Sequence, residues 1–207
     1  MDRARLAPIP MVVHSGSAVG KGSGVLWPLA PVIVLLAWWT ARLAVASDPW
    51  CFLDFVNLAF HEAGHLVFAP LGSTLHVLGG TLGQLAVPLL LAVTFLFKER
   101  RPLGGAFCAW WFGENLVSVS RYMADARSLE LPLVGGGDHD WNELFYRFGL
   151  LGEGSVAAVS RTTHGIGVLL MLGGVAWCLT FVLPSRARSA VCSGITGRFP
   201  SLGFLFD

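Results

Sequence analysis

Long apolar runs, the first four separated by short segments and the last by a longer, more polar stretch, set the pattern of this chain. The apolar runs cover residues 25–46, 51–71, 75–97, 103–125 and 165–183. Each is close to the roughly 20 residues that a helix needs to cross a bilayer. Because a helix satisfies its own backbone hydrogen bonds in lipid, the pattern predicts an all-α fold. We expect a polytopic transmembrane helical bundle of about five to six helices.

The composition agrees with a membrane protein. Of the 207 residues, 54% are hydrophobic and only 13% are charged, whereas a soluble domain carries about 25% charged residues. The net charge of +1 leaves no basic surface for nucleic acid, so we expect no nucleic-acid partner. We expect a multi-pass protein of the cell (inner) membrane. The four cysteines form no C-x-x-C pair and are interpreted as small core residues.

A five-residue motif lies inside the second apolar run. It reads His61-Glu62-Ala63-Gly64-His65, an H-E-x-x-H pattern. On a helix the two imidazoles lie one turn apart on the same face, so both can bind one Zn²⁺ ion, with the glutamate beside it to accept a proton from water. Charged and imidazole side chains are costly at membrane depth, which makes the cluster a candidate functional site. The alternative is two structural histidines, each hydrogen-bonded to a neighbouring helix.

Other polar residues share the face of the motif. Asp54 and Asn57 precede His61 at helical spacing, and either could accept the free ring N–H of a ligating histidine. Asp54 could instead lie in water at the membrane interface. Glu114, from a polar stripe on the fourth apolar run, is a further candidate for contact with the site.

The third run combines a polar face with small residues. His76 and Gln84 lie on one face of the predicted helix, and we interpret His76 as a hydrogen-bonding residue at the interface rather than a ligand. Small residues let transmembrane helices approach closely. We therefore expect tight helix packing at four glycines: Gly64, Gly79, Gly80 and Gly83.

A zinc site of this type needs a third protein ligand, and the segment after the fourth run offers candidates. His139 and Asp140 follow a run of three glycines, and the sequence leaves open which of the two binds metal. Asp140 has an alternative role as the N-cap of a helix, with Glu143 three residues later. His139 has no such alternative.

The chain divides into three parts. Residues 1–24 are rich in glycine and serine and are expected to form a mobile N-terminal leader. Residues 25–184 form one transmembrane helical domain with the metal site, and residues 185–207 form a C-terminal tail. Within the domain a loop covers residues 128–138, and a short helix is predicted from about Trp141 to about Leu151.

An H-E-x-x-H motif within a transmembrane helix resembles the site-2 protease family of intramembrane zinc metalloproteases. The resemblance implies that His61 and His65 bind zinc and that Glu62 is the catalytic base. That family takes its third ligand from an aspartate in an Asn-x-x-Pro…Leu-Asp-Gly pattern. Here only Gln84 to Pro88 echoes the first half of the pattern, and no Leu-Asp-Gly follows.

The favoured function is therefore a membrane-embedded zinc metallopeptidase that hydrolyses a peptide bond. Its expected cofactor is Zn²⁺, and its expected partners are membrane lipid and a membrane-protein or peptide substrate. One alternative is a zinc hydrolase of lipid amides or esters. Another is a non-catalytic metal-binding scaffold or transporter, which would not depend on Glu62.

Overall fold

A computed structural model describes residues 27–46, 50–134 and 138–205 of the chain, and this part is helical without a strand. The prediction of an all-α fold is confirmed. The predicted leader over residues 1–24 and the glycine run 135–137 lie outside the described residues. The described helices are α1 (Ala30–Val45), α2 (Leu53–Phe68), α3 (Ser73–Val93), α4 (Pro102–Ala124), α5 (Asp140–Arg147), α6 (Glu153–Thr180) and α7 (Ser185–Arg198).

Three helical segments of the described chain are long and apolar enough to cross a membrane. They are Trp27–Val45, Ser73–Lys98 and Glu153–Thr180. Helix α2 has 16 residues, fewer than the roughly 20 that a full crossing needs, and α4 carries Glu114, Asn115 and Arg121. A membrane protein is thus supported, but the prediction of five to six helices is not confirmed as a count of spans.

Two helix boundaries differ from those predicted. The last apolar run was expected to begin at residue 165, but α6 begins at Glu153, since a helix continues through polar residues when one face is buried against a neighbour. The short helix expected from Trp141 to Leu151 instead runs from Asp140 to Arg147.

Helices α4 and α6 form the centre of the bundle. An added Cβ atom at Gly113 would lie 2.6 Å from the carbonyl oxygen of Gly167, so the two backbones are in direct contact. Helix α1 covers this pair, and the Nε1 atom of Trp110 donates a 2.8 Å hydrogen bond to the Oγ1 atom of Thr40 on α1. The Trp110 side chain is 1% exposed and belongs to the apolar core shared by α1, α4 and α6.

Helices α2 and α3 form an antiparallel hairpin. They are joined by a 3-10 turn over Ala69–Leu71 and by Gly72, whose φ of +103° favours glycine. An added Cβ atom at Gly79 would lie 2.7 Å from the carbonyl oxygen of Gly64, and one at Gly83 would lie 2.8 Å from the Cα atom of Gly64. The predicted close packing at these glycines is confirmed.

Helix α5 closes one end of this hairpin. Leu144 and Phe145 anchor it with buried side chains. The Nη1 atom of Arg147, in its last turn, donates hydrogen bonds to the hydroxyls of Ser73 (3.1 Å) and Thr74 (2.9 Å) at the start of α3. The N-terminus of α5 is thereby held beside the middle of α2, where the motif lies.

Candidate metal centre

Three potential metal ligands meet between α2 and the start of α5. The Nε2 atom of His61 lies 2.8 Å from the Oδ2 atom of Asp140, and the Nε2 atom of His65 lies 3.3 Å from the same oxygen. Ligand atoms of these three residues all lie within 4.8 Å of one another. Two imidazole nitrogens and a carboxylate oxygen are ligands that divalent transition metals take.

The other ring nitrogen of each histidine has its own partner. The Nδ1 atom of His61 lies 3.0 Å from the Oε1 atom of Gln84, and the Nδ1 atom of His65 lies 2.8 Å from the backbone carbonyl oxygen of His76. A carbonyl oxygen can only accept, so both Nδ1 atoms carry the hydrogen. In the neutral rings the Nε2 lone pairs are then free to bind a metal.

This arrangement fits a bound cation. Without one, two nitrogen lone pairs and a carboxylate oxygen face each other at 2.8 and 3.3 Å, and such groups repel each other. One metal ion satisfies all three acceptors, in the manner of a His₂-carboxylate site.

The α2–α3 glycine packing makes room for this group. His61 and His65 lie one turn apart on α2, and Gly80 of α3 lies directly against both rings. A Cβ atom at position 80 would clash with the His61 imidazole and would lie 2.6 Å from the Nε2 atom of His65. The absence of a side chain at Gly80 therefore keeps the metal-facing side of the two rings clear.

Asp140 is positioned by its own backbone. Its N–H donates a 3.1 Å hydrogen bond to the hydroxyl oxygen of Tyr122 on α4. The preceding residue, His139, is the N-cap of α5, and its Nδ1 atom accepts a 3.1 Å hydrogen bond from the backbone N–H of Asn142. Because α5 begins at Asp140, its carboxylate extends from the first helical residue toward α2.

The structure separates the two candidates for third ligand. Asp140 lies with His61 and His65, whereas the Nε2 atom of His139 lies 3.3 Å from the Oδ2 atom of Asp125, outside hydrogen-bond geometry. The ring of His139 packs on Tyr122, with centroids 4.1 Å apart. Burial lowers the pKa of the His139 imidazole, although Asp125 acts in the opposite direction. The capping role considered as the alternative for Asp140 belongs to His139, whose extended backbone precedes the helix.

Glu62 borders the cavity beside the metal group. Its side chain is exposed and lines a cavity of about 690 Å³ together with His61, His65 and Asp140. Apolar side chains from two sides complete the wall. They include Trp50, Phe55, Leu58, Leu131, Pro132, Leu133 and Val134.

The residues expected to support the histidines have other roles. The Nδ2 atom of Asn57 donates a 2.9 Å hydrogen bond to Glu114, and its Oδ1 atom accepts one of 2.8 Å from Trp111. Asp54 accepts a 2.7 Å bond from the backbone N–H of Cys51 at the start of α2. Asn57 and Glu114 are both buried and join α2 to α4 instead of contacting the imidazoles.

Sequence reasoning missed two residues that do contact the group. The polar face that Gln84 shares with His76 on α3 is a usable signal, but no contact between Gln84 and the motif is predicted from it. Tyr122 carries no signal in the sequence, because only the position of α5 brings Asp140 to its hydroxyl. His76 has the hydrogen-bonding role expected of it, since its Nδ1 atom donates a 2.9 Å bond to the carbonyl oxygen of His65.

Comparisons of the chain with protein-family models, with curated proteins and with solved structures found no match to any of them.

Proposed function

We propose that this protein is a membrane-embedded zinc metallopeptidase that hydrolyses a peptide bond in a transmembrane or membrane-proximal substrate. The observation that carries the proposal is the convergence of His61, His65 and Asp140, next to a cavity that Glu62 also lines. Three protein ligands leave a fourth zinc position for water or substrate, which is the composition of catalytic rather than structural zinc sites.

The residues of the chain divide the chemistry between them. His61, His65 and Asp140 would hold the zinc ion, which supplies Lewis acidity to the carbonyl group under attack. Glu62 accepts a proton from a water molecule, and the water oxygen forms the new bond to the carbonyl carbon. Glu62 then returns the proton to the amine as the C–N bond breaks. Gln84 and the His76 carbonyl hold the two imidazoles in the ligating tautomer.

The resemblance to site-2 proteases supports a peptide as substrate, because those enzymes also carry an H-E-x-x-H motif in a membrane helix. Hydrolysis of a lipid amide or ester would use the same residues. A non-catalytic metal-binding protein would use the same ligands but would not need Glu62. Replacement of Glu62 therefore distinguishes a catalytic protein from one that only binds metal.

The test uses the full-length protein purified in detergent, with elemental analysis and a peptide-cleavage assay on a quenched-fluorescence peptide library. Wild type is expected to carry about one zinc per chain. Glu62→Gln is expected to keep that zinc but lose cleavage, since an amide cannot accept the proton. The matched control is Glu153→Gln, at the exposed start of α6, which is expected to cleave like wild type. Cleavage by Glu62→Gln at the wild-type rate would reject the peptidase function.

A further inference from the structure

The hydroxyl of Tyr122 contacts the backbone of Asp140, one of the three candidate metal ligands. Its oxygen is 3.1 Å from the backbone nitrogen of Asp140, whose carboxylate is 2.8 Å from His61. The centroid of the Tyr122 ring lies 4.1 Å from that of the His139 ring and 6.0 Å from that of the His61 ring. The side chain is half-buried and lines the same cavity as Glu62.

This hydroxyl has a hydrogen to donate. Its oxygen accepts the N–H of Asp140, and among the hydrogen bonds of the described residues it donates to no acceptor. A tyrosine hydroxyl ionises near pH 10 and so remains a donor at neutral pH. The ring packs on His139, and the hydroxyl hydrogen can turn about the C–O bond toward a molecule in the cavity.

Together with the proposed function, on which this step rests, the geometry points to Tyr122 as a catalytic residue that donates a hydrogen bond to the substrate carbonyl oxygen as it becomes an oxyanion. A donor held in place before the reaction stabilises developing charge without reorganisation. Glu62 lines the same cavity, and in this proposal one substrate contacts both the Glu62 carboxylate and the Tyr122 hydroxyl. The N–H of Asp140 keeps the phenol oxygen at its position.

A purely structural role for Tyr122, confined to holding Asp140, makes a different prediction. Removal of the hydroxyl would then disturb the metal ligand Asp140 and weaken the binding of every molecule that binds through the metal. If the hydroxyl instead contacts the oxyanion, its removal weakens the binding only of molecules that carry a tetrahedral anionic oxygen. Two probes of similar size separate these cases.

The experiment measures binding of both probes to zinc-loaded, full-length protein by isothermal titration calorimetry in detergent. One probe is a phosphonamidate of an apolar tripeptide, which carries a tetrahedral oxyanion. The other is the mercaptoacetyl derivative of the corresponding apolar dipeptide, which binds a metal through sulfur and has no such oxygen. The variant is Tyr122→Phe, and the control is Tyr146→Phe, because Tyr146 is 71% exposed on α5.

Tyr122→Phe is expected to lower the affinity for the phosphonamidate by about 10- to 100-fold, as for loss of a hydrogen bond to a charged group. Its zinc content, thermal stability and affinity for the thiol are expected to match those of Tyr146→Phe. Equal weakening of both probes, or of neither, would overturn the role of Tyr122 while leaving the metal site in place. Failure of the thiol to bind wild type would overturn the proposed function, and the role of Tyr122 with it.

Discussion

The Nε2 atom of His61 lies 2.8 Å from the Oδ2 atom of Asp140, although the two residues are 79 positions apart in the chain. Helix α5, which delivers Asp140, has only 8 residues and is far too short to span a bilayer. Two hydrogen bonds hold it in place. Its own Arg147 donates to Thr74 at the start of α3, and its Asp140 N–H donates to Tyr122 on α4. The short helix thus places a carboxylate against α2 without itself crossing the membrane.

Asp140 and His139 are expected to respond differently to replacement by alanine. Asp140→Ala removes one of the three proposed zinc ligands, so zinc affinity should fall strongly in a chelator competition assay. His139→Ala removes the N-cap of α5 and should cost about 1 kcal/mol of stability while sparing zinc. Asp138→Ala, from the same cavity wall, is the control for loss of negative charge alone. A larger zinc loss in His139→Ala than in Asp140→Ala would reverse the assignment.

Gln84 is expected to set the tautomer of His61. Its Oε1 atom lies 3.0 Å from the Nδ1 atom of His61, and loss of such a partner typically lowers metal affinity by about 10- to 100-fold. Gln84→Ala should show a loss of this size in chelator competition. Gln84→Glu keeps an acceptor at this position and should retain most of the affinity. The same loss in both variants would show that packing volume, rather than the hydrogen bond, is responsible.

Part of this site was accessible from the sequence. Helical geometry predicts that His61 and His65 lie on the same face of α2. Glycines at helical spacing predict the close approach of α2 and α3. The third ligand could not be chosen, because His139 and Asp140 are adjacent and point in different directions once a helix begins. Which of them faces α2 depends on where α5 starts, and in the structure His139 caps the helix while Asp140 is its first residue.

The support of the histidines shows a similar limit. Asn57 lies one turn before His61 on the same helix, and it was one of two candidates, with Asp54, for a hydrogen bond to a ligating histidine. The partner in the structure is Gln84 on the neighbouring helix, and Asn57 turns to Glu114 on α4. The periodicity of one helix indicates a shared face, but it does not say which neighbour packs against that face.

Gly80 is expected to tolerate no side chain. A Cβ atom there would lie 2.6 Å from the Nε2 atom of His65 and would clash with His61. Gly80→Ala should lower zinc content and cost about 1–3 kcal/mol of stability through overpacking. The control is Gly173→Ala on α6, where an added Cβ meets no atom within 4 Å and where alanine favours the helix. Wild-type zinc content in Gly80→Ala would show that the rings can move away.

Asn57 is expected to matter for stability rather than for metal binding. Its replacement by alanine leaves Trp111 and Glu114 without buried hydrogen-bond partners, at a cost of roughly 1–3 kcal/mol for each unsatisfied group. Thermal unfolding in detergent should show a clear decrease for Asn57→Ala, with zinc per folded chain unchanged. Leu66→Ala is the control, because Leu66 lies on the same helix and is 77% exposed. Loss of zinc from folded Asn57→Ala protein would restore the direct role expected from the sequence.

Removal of the metal is expected to destabilise the wild-type protein. A ligand that binds only the folded state stabilises it by about 2.7 kcal/mol when its free concentration is 100 times its dissociation constant. Addition of a chelator should therefore lower the Tm of wild type and of Glu62→Gln, because both keep His61, His65 and Asp140. The double variant His61→Ala/His65→Ala should begin with a lower Tm and show no further decrease. If the chelator lowers the Tm of the double variant as much as that of wild type, the stabilising metal binds elsewhere in the chain.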